Sequence, residues 1–384
     1  IVIGDVHRFT VGGFRVQFVD LKRQYHFYQS EVETRVQRVF EHGQYILGPE
    51  ILELENLLSK RVGVKHVTTV SSGTASLEIA LRAIGVGPGD EVITVPFTWI
   101  SSAEAILLVG ATPRFVDIEA ESFNLDPDRI ADAISSRTKA LIAVNLFGQM
   151  ADFGRIFEIA GKAGLSVIED GAQSFGAAQN GIQSCGASII GTTSFFPTKP
   201  LGCYGDGGAV FTNDDELAER MVSIRSHGLV GDKHCYLGTN GRFDTLQAAI
   251  LLAKLPHFEG ELAQRRRIAT RYSSEFLDSC CVPTPLPGND HVYACYTIRV
   301  PKRDEIAERL QIRGIPTKVY YPRCLHDHPA LEGLGYQMGD FPVAERAARE
   351  VISLPVHPFL TEPEQEKIIS VVKDELTPIG PLVP

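Results

Sequence analysis

The stretch Thr193-Ser-Phe-Phe-Pro-Thr-Lys-Pro-Leu-Gly-Cys-Tyr-Gly-Asp-Gly-Gly208 places one lysine, Lys199, between an apolar, strand-like segment and a glycine-rich turn. A lysine there can simply be a solvated surface residue, as most lysines are. Upstream, however, the apolar run Leu165-Ser-Val-Ile-Glu-Asp170 ends in a carboxylate, and Gln173 follows three residues later. Because a buried carboxylate is costly without a partner, Asp170 is expected to face a cation or a hydrogen-bond donor. An arginine, a helix cap or a protonated ring nitrogen would each serve.

Lys199 and Asp170 together match the two protein groups that pyridoxal phosphate chemistry requires. That cofactor forms a Schiff base with a lysine, and an aspartate holds its pyridine nitrogen protonated. We therefore predict pyridoxal 5'-phosphate as the cofactor and Lys199 and Asp170 as catalytic residues. Gln173 is placed to donate a hydrogen bond to the phenolic oxygen of the same cofactor.

Strand-like and helix-like patterns alternate through the first two thirds of the chain. Short apolar runs occur at residues 91–95, 114–118, 141–144, 166–168, 189–195 and 208–212. Helical patterns fall between most of these runs. Such alternation is typical of an α/β fold with a mainly parallel sheet covered on both faces.

The last third of the chain has a different pattern, which predicts a second domain. A long charged helix near residues 258–278 is followed by a Pro/Gly-rich loop and by predicted helices at 303–313 and 341–352. We expect a large domain over residues 16–256 and a smaller α+β domain over 257–384. Residues 1–15 lack an initiator Met and a signal-peptide pattern, and we interpret them as an upstream extension or a cloning remnant.

Composition excludes several classes of protein. The net charge is −10 and the sequence pI about 5.6, which argues against nucleic-acid binding. Seven scattered cysteines show no metal-binding spacing, so no metal site is expected, and an odd number fits a reducing cytoplasm. No apolar run approaches the ~20 residues that span a bilayer, so no membrane association is expected.

Two further segments could hold parts of a cofactor. Ser72, Gly73 and Thr74 come just before or at the start of a helical pattern, where free N–H groups and hydroxyls can bind a phosphate. An ordinary helix cap explains the same residues. Trp99 follows a predicted strand and could stack on a flat ring, although core packing is an equal alternative. Ser194 could add a hydroxyl to the phosphate site.

The chain resembles the DegT/DnrJ/EryC1/StrS sugar aminotransferases of fold type I from about residue 18 to residue 370. Besides the lysine stretch, the motifs are Gly43-Gln-Tyr-Ile-Leu-Gly-Pro-Glu50, Gly87-Pro-Gly-Asp-Glu-Val-Ile93, Glu169-Asp-Gly-Ala-Gln-Ser-Phe-Gly176 and Asn240-Gly-Arg-Phe-Asp-Thr-Leu-Gln-Ala-Ala249. The resemblance implies a seven-stranded, mainly parallel sheet. It also implies a homodimer whose active sites are shared between subunits.

The resemblance further implies a role for each candidate residue. Lys199 would be the Schiff-base lysine, Asp170 the pyridinium partner and Gln173 the phenolate contact. The remaining cofactor-binding residues would be Ser72, Gly73, Thr74, Trp99, Ser194 and Asn240, the last reaching from the neighbouring subunit. The substrate-binding residues would be Arg242, also from that neighbour, Tyr320, Tyr321 and His326.

Within the family, the likeness is greatest to enzymes that aminate C3 of a UDP-linked N-acetyl-3-keto-hexuronic acid, with L-glutamate as donor. Tyr320-Tyr321-Pro322 departs from the His-Tyr-Pro expected there. Another UDP- or dTDP-linked 3- or 4-keto-sugar is therefore an alternative substrate. Two other functions remain open: dehydration of a deoxysugar, which needs histidine in place of Lys199, and a non-enzymatic regulatory or scaffold role.

Overall fold

The computed structural model describes residues 16–376 of the chain. Within them the α-helices are α1 (Leu21–His42), α2 (Pro49–Val62), α3 (Gly73–Ala83), α4 (Ser101–Leu108), α5 (Ile130–Ala133), α6 (Phe153–Ala163), α7 (Asp215–Arg225), α8 (Thr245–Lys254), α9 (Phe258–Phe276), α10 (Arg303–Ile312), α11 (Pro342–Glu350) and α12 (Glu362–Leu376). The strands are β1 (His66–Val70), β2 (Glu91–Thr94), β3 (Thr112–Phe115), β4 (Thr138–Val144), β5 (Ser166–Asp170), β6 (Ala178–Gln179), β7 (Ile182–Gln183), β8 (Ile190–Ser194), β9 (Gly208–Thr212), β10 (Leu229–Val230), β11 (Lys233–His234), β12 (Asn289–Asp290), β13 (Tyr296–Arg299) and β14 (Val351–Leu354).

A seven-stranded sheet in the order β1-β9-β8-β5-β4-β2-β3 forms the centre of the fold. All neighbouring strands pair in parallel except β9, which runs antiparallel to both β1 and β8. This arrangement confirms the predicted α/β class and the mainly parallel sheet. It also brings the carboxyl ends of six strands to one edge, where ligands bind in open α/β sheets.

Strand register explains how distant segments meet at that edge. Gly208, at the start of β9, lies opposite Val70 at the end of β1 and opposite Ser194 at the end of β8. On the far side of β8, Asp170 at the end of β5 lies opposite Thr192. The segments that follow β1, β5 and β8 therefore begin next to one another.

Local signals fix the helices that flank the sheet. Asp20 caps α1 by accepting a hydrogen bond from the Arg23 N–H at 2.9 Å, and Gly43 ends it with a left-handed φ of 71°. Pro49 starts α2, where its missing N–H costs least. Ser72 caps α3 through the Ala75 N–H at 3.0 Å, so this serine does serve as an ordinary helix cap.

The described residues contain two large hydrophobic cores and a small third cluster between α1 and α8. The larger core surrounds the central sheet, and the smaller is built from α10, α12, β13, β14 and the second half of α9. Phe258 and Leu262 of α9 belong to the larger core, whereas Tyr272 and Phe276 belong to the smaller. The boundary expected near residue 256 thus falls next to the helix that joins the cores, and its position stays a prediction.

One predicted helix near the C-terminus ends earlier than expected. The pattern at 341–352 predicted a continuous helix, but α11 ends at Glu350 and Val351 begins β14. β14 pairs antiparallel with β13 and its four residues are buried. Tertiary pairing therefore overrides the helical periodicity for these last residues. None of the helices between residues 16 and 376 is long and apolar enough to cross a membrane.

Candidate active site

Asp170 is a buried carboxylate at the carboxyl end of β5, with only 6% of its surface exposed. Its Oδ2 accepts a hydrogen bond from the Ser102 hydroxyl at 3.0 Å, and its Oδ1 accepts one from the Ala172 N–H at 3.2 Å. Burial raises the pKa of Asp170, while these two donors and the nearby Lys199 lower it. The carboxylate therefore lies among donors that favour its ionised form and keeps lone pairs for a further cationic partner.

Lys199 extends from the turn that follows β8. Its N–H donates to the Phe196 carbonyl at 2.9 Å, and the Cys203 N–H closes the turn on the Phe195 carbonyl at 2.8 Å. The side chain is half-buried, and the surrounding protein lowers the pKa of Lys199, an effect that Asp170 opposes. A lowered pKa increases the fraction of free amine, which is the nucleophilic form of a lysine.

The start of α3 offers groups that can bind an anion. The first N–H groups of a helix have no acceptor inside it, and here Gly73 and Thr74 supply them. A Cβ placed on Gly73 would lie 2.7 Å from the Ser194 Cβ, so only glycine lets the two segments approach this closely. The Thr74 hydroxyl is hydrogen-bonded to the Ser101 hydroxyl at 2.8 Å. The residues present fit a phosphate group.

Gln173 and Tyr321 form the wall beside Asp170. The Gln173 Oε1 accepts a hydrogen bond from the Phe147 N–H at 2.8 Å, and its Nε2 donates to the Tyr321 hydroxyl at 3.0 Å. These contacts fix the amide with its NH₂ group toward Tyr321, and one amide hydrogen stays available. Tyr321 thus holds Gln173 in place. The sequence analysis predicted Tyr321 only as a substrate-binding residue and did not foresee this contact.

Aromatic side chains surround this wall. Trp99 keeps 51% of its surface exposed, and its ring centroid lies 6.2 Å from that of Tyr321. Because Trp99 is not a core residue, its open face can stack on a planar ligand. Tyr320 is half-buried, with its ring 5.8 Å from Tyr321 and 6.3 Å from Phe18.

Asn240 and Arg242 line a separate cavity of about 380 Å³ near the start of α3. Arg242 bridges to Val70 at the end of β1, and the Ser71 N–H donates to the Gly241 carbonyl at 2.8 Å. The Arg242 Nε is buried and has no hydrogen-bond partner within residues 16–376. Because Arg242 also lines the cavity, its guanidinium places a positive charge at the cavity wall, where it can attract an anion.

His326 is buried against other protein groups, and its role in substrate binding stays a prediction. Its side chain has no exposed surface; its Nε2 lies 3.2 Å from the Glu345 Oε1 and its ring 4.9 Å from Phe341. The imidazole serves the packing between a short 3₁₀ turn and α11.

Two residues at this site went unrecognised from the sequence. Ser102 contacts Asp170 directly, and Cys295 is close enough to Lys199 for each to affect the other's pKa. Burial raises the pKa of Cys295 to about 11, so its thiol is neutral at physiological pH. The serine lies in the ordinary-looking run Trp99-Ile-Ser-Ser102, which gives no local signal of this contact.

Comparison with known proteins agrees with this geometry. The model of the DegT/DnrJ/EryC1/StrS aminotransferase family matches residues 27–373. A UDP-2-acetamido-2-deoxy-3-oxo-D-glucuronate aminotransferase from Pseudomonas aeruginosa is 48% identical over 350 residues, covering 90% of this chain and 96% of that protein. A pleiotropic regulatory protein from Geobacillus stearothermophilus is 43% identical, covering 94% and 98%.

A solved structure shares the whole fold. The crystal structure of a DegT/DnrJ/EryC1/StrS aminotransferase from Brucella abortus superimposes with a TM-score of 0.91 at 40% identity, covering 94% of this chain and 99% of that one. Sequence and fold therefore agree over nearly the whole length. The chain belongs to the DegT/DnrJ/EryC1/StrS aminotransferase family, whose cofactor is pyridoxal phosphate.

Proposed function

We propose that this chain transfers an amino group from L-glutamate to the 3-keto group of a UDP-linked N-acetyl-hexuronic acid, using pyridoxal phosphate. The observation that carries the proposal is that Lys199, in the turn after β8, lies close enough to the buried Asp170 at the end of the neighbouring β5 for each to affect the other's pKa, beside a helix start that needs glycine at position 73. Bound there, the cofactor stores the amino group and withdraws electrons from the reacting carbon.

The site residues have separate roles in this proposal. Lys199 would hold the cofactor and could then move a proton at the donor's α-carbon. Asp170 would accept a hydrogen bond from the ring nitrogen and keep it protonated, and Gln173 would donate its free amide hydrogen to the phenolic oxygen. The phosphate would be held by Ser72, Gly73, Thr74, Ser194 and Asn240, and Trp99 would stack on the ring.

The named Pseudomonas relative supports the choice of sugar. A hexuronic acid carries a C6 carboxylate, and the Arg242 guanidinium at the wall of its cavity suits such an anion or a substrate phosphate. Glutamate gives up its amino group and becomes 2-oxoglutarate, whose new keto oxygen comes from water, while the amino group replaces the sugar's keto oxygen, which leaves as water.

We also propose that the protein works as a homodimer with shared active sites. Asn240 is exposed, and the apolar Tyr45, Ile46 and Leu47 are exposed beside the Arg242 cavity, which Ile46 lines. A second copy would cover these side chains. Mixing Lys199→Ala protein with an Asn240→Ala/Arg242→Ala double variant should restore activity, because one heterodimer site then carries neither defect. Lack of restoration despite confirmed subunit exchange would contradict a shared site.

We place the enzyme in the cytoplasm. All seven cysteines are unpaired thiols, which suits a reducing compartment. Measuring the enzyme in the soluble and periplasmic fractions of cells that express it tests this placement.

A regulatory role is the second candidate function, because a relative 43% identical is named a pleiotropic regulatory protein. The visible spectrum separates the two. An enzyme should bind pyridoxal phosphate with an absorbance band that borohydride bleaches, and Lys199→Ala should lose that band. Absence of the band in the unmodified protein would favour the regulatory role. Dehydration is not favoured, because a lysine occupies position 199.

One experiment tests the substrate directly. Purified protein is incubated with glutamate and a panel of UDP- and dTDP-linked 3- and 4-keto-sugars, and products are identified by mass. We expect an amino-sugar only from the UDP-linked 3-keto-uronate, with 2-oxoglutarate formed in equal amount. Turnover of a dTDP-sugar alone would refute the assigned substrate and leave the aminotransferase activity intact.

A further inference from the structure

Two adjacent serines begin α4, and each contacts a different part of the active site. Ser101 is hydrogen-bonded to Thr74 at 2.8 Å, and Ser102 donates to Asp170 at 3.0 Å. Both are buried, with 9% and 1% of their surface exposed. Neighbouring helical residues point about 100° apart, so one turn of α4 can reach both α3 and β5.

The Ser102 hydroxyl acts on the charge and the orientation of Asp170. An ionised carboxylate only accepts hydrogen bonds, so Ser102 must be the donor. Its contact lowers the pKa of Asp170 against the raising effect of burial. With Ala172 on the other oxygen, Ser102 also fixes the plane of the carboxylate.

The Ser101 hydroxyl acts on Thr74. A hydroxyl has one hydrogen and two acceptor lone pairs. When Ser101 donates to the Thr74 Oγ1, the threonine hydrogen is free for another acceptor, such as a phosphate oxygen. Either hydroxyl can be the donor of this hydrogen bond, and with Ser101 as donor the Thr74 hydrogen points away from Ser101.

We propose that Ser101 and Ser102 form a positioning pair that holds the phosphate-binding end of the site at a fixed distance from the acid that binds the ring nitrogen. The pair sets Thr74 and Asp170 from one rigid helical turn, so a single cofactor can satisfy both at once. This inference rests on the proposed roles of Thr74 and Asp170. Neither serine needs to touch the cofactor.

Ser101 is tested with two ligands that differ only in phosphate. Apo protein is titrated with pyridoxal phosphate and with pyridoxal, following ligand absorbance. Ser101→Ala should weaken pyridoxal phosphate binding about tenfold and leave pyridoxal binding unchanged, since only the first uses Thr74. Equal weakening of both ligands, or of neither, would overturn the role of Ser101.

Ser102 is tested through the protonation of the ring nitrogen. Ser102→Ala should weaken both ligands alike, lower kcat about tenfold or more, and reduce the protonated fraction of ¹⁵N-labelled cofactor observed by NMR. A wild-type nitrogen signal in this variant would overturn the role of Ser102.

Ser353→Ala is the matched control for the loss of a buried serine hydroxyl away from the active site. Ser353 is buried in the smaller core and hydrogen-bonded to the Thr297 hydroxyl at 2.8 Å. The melting temperatures of the apo forms of Ser101→Ala, Ser102→Ala and Ser353→Ala should decrease by similar amounts. Much lower melting temperatures for the two α4 variants would mean that Ser101 and Ser102 have only a structural role. Asp170→Asn separates this inference from the proposed function. If Asp170→Asn is inactive while Ser102→Ala is normal, only the positioning pair is refuted; if both are normal, the role of Asp170 itself fails.

Discussion

Replacing Gly73 with alanine should damage cofactor binding through a clash that the structure defines. The added Cβ would lie 2.7 Å from the Ser194 Cβ, whereas carbon atoms pack at about 3.5–4.0 Å. The start of α3 and the end of β8 must therefore separate by roughly 1 Å. Such overpacking typically costs about 1–3 kcal/mol, although alanine is the better helix former.

The assay measures two quantities for the same protein. Urea unfolding of the apo form reports the loss of stability, and absorbance titration reports affinity for pyridoxal phosphate. We expect Gly73→Ala to lose about 1–3 kcal/mol of stability and at least about tenfold in affinity. Gly161→Ala is the control, because Gly161 lies in α6 and a Cβ there meets no atom within 4 Å.

A second substitution distinguishes the effect of the steric clash on stability from the effect of the Ser194 hydroxyl on cofactor binding. Ser194→Gly in the Gly73→Ala background removes the Cβ that causes the clash, so apo stability should recover. Affinity for the cofactor should stay low, because the Ser194 hydroxyl is gone. Wild-type affinity in Gly73→Ala, or full recovery of affinity in the double variant, would refute the phosphate site assigned to these segments.

Three more outcomes are expected. Lys199→Ala should abolish turnover with little change in apo stability, and substantial steady-state activity would contradict its assignment. Burial lowers the pKa of His291 to about 3, so His291 stays neutral while an unfolded histidine takes up a proton, and it should contribute a loss of about 1.4 kcal/mol of stability per pH unit as the pH falls from about 6.5 to about 3. Burial lowers the pKa of His357 to about 4, so a second slope of this kind remains when His291 is replaced. His291→Asn should therefore reduce the acid slope in urea titrations without abolishing it, whereas the exposed His26→Asn should not reduce it; an unchanged slope in His291→Asn contradicts the reasoning. Finally, kcat/KM should be at least about tenfold higher for the 3-keto-uronate than for its neutral C6 counterpart, and Arg242→Met should remove the difference; equal values in the unmodified enzyme refute uronate selectivity.

The sequence by itself determined the fold class and the central chemistry of this protein. Alternating strand and helix patterns depend on local periodicity, and the turn at Lys199, the carboxylate at Asp170 and the helix start at Gly73 are each marked within a few residues. Parallel strands then bring their carboxyl ends to one edge by necessity. That rule is why residues far apart in the sequence could be assigned to one site.

Only the tertiary structure decided which side chains support those groups. Ser102 and Asp170 are 68 residues apart, and Gln173 and Tyr321 are 148 apart, so no local pattern links either pair. The burial of the His326 side chain against α11 likewise has no signal in the neighbouring sequence. Hydrogen bonds between distant residues depend on exact side-chain placement, which arises from packing of the whole core and is not encoded in the spacing of any one segment.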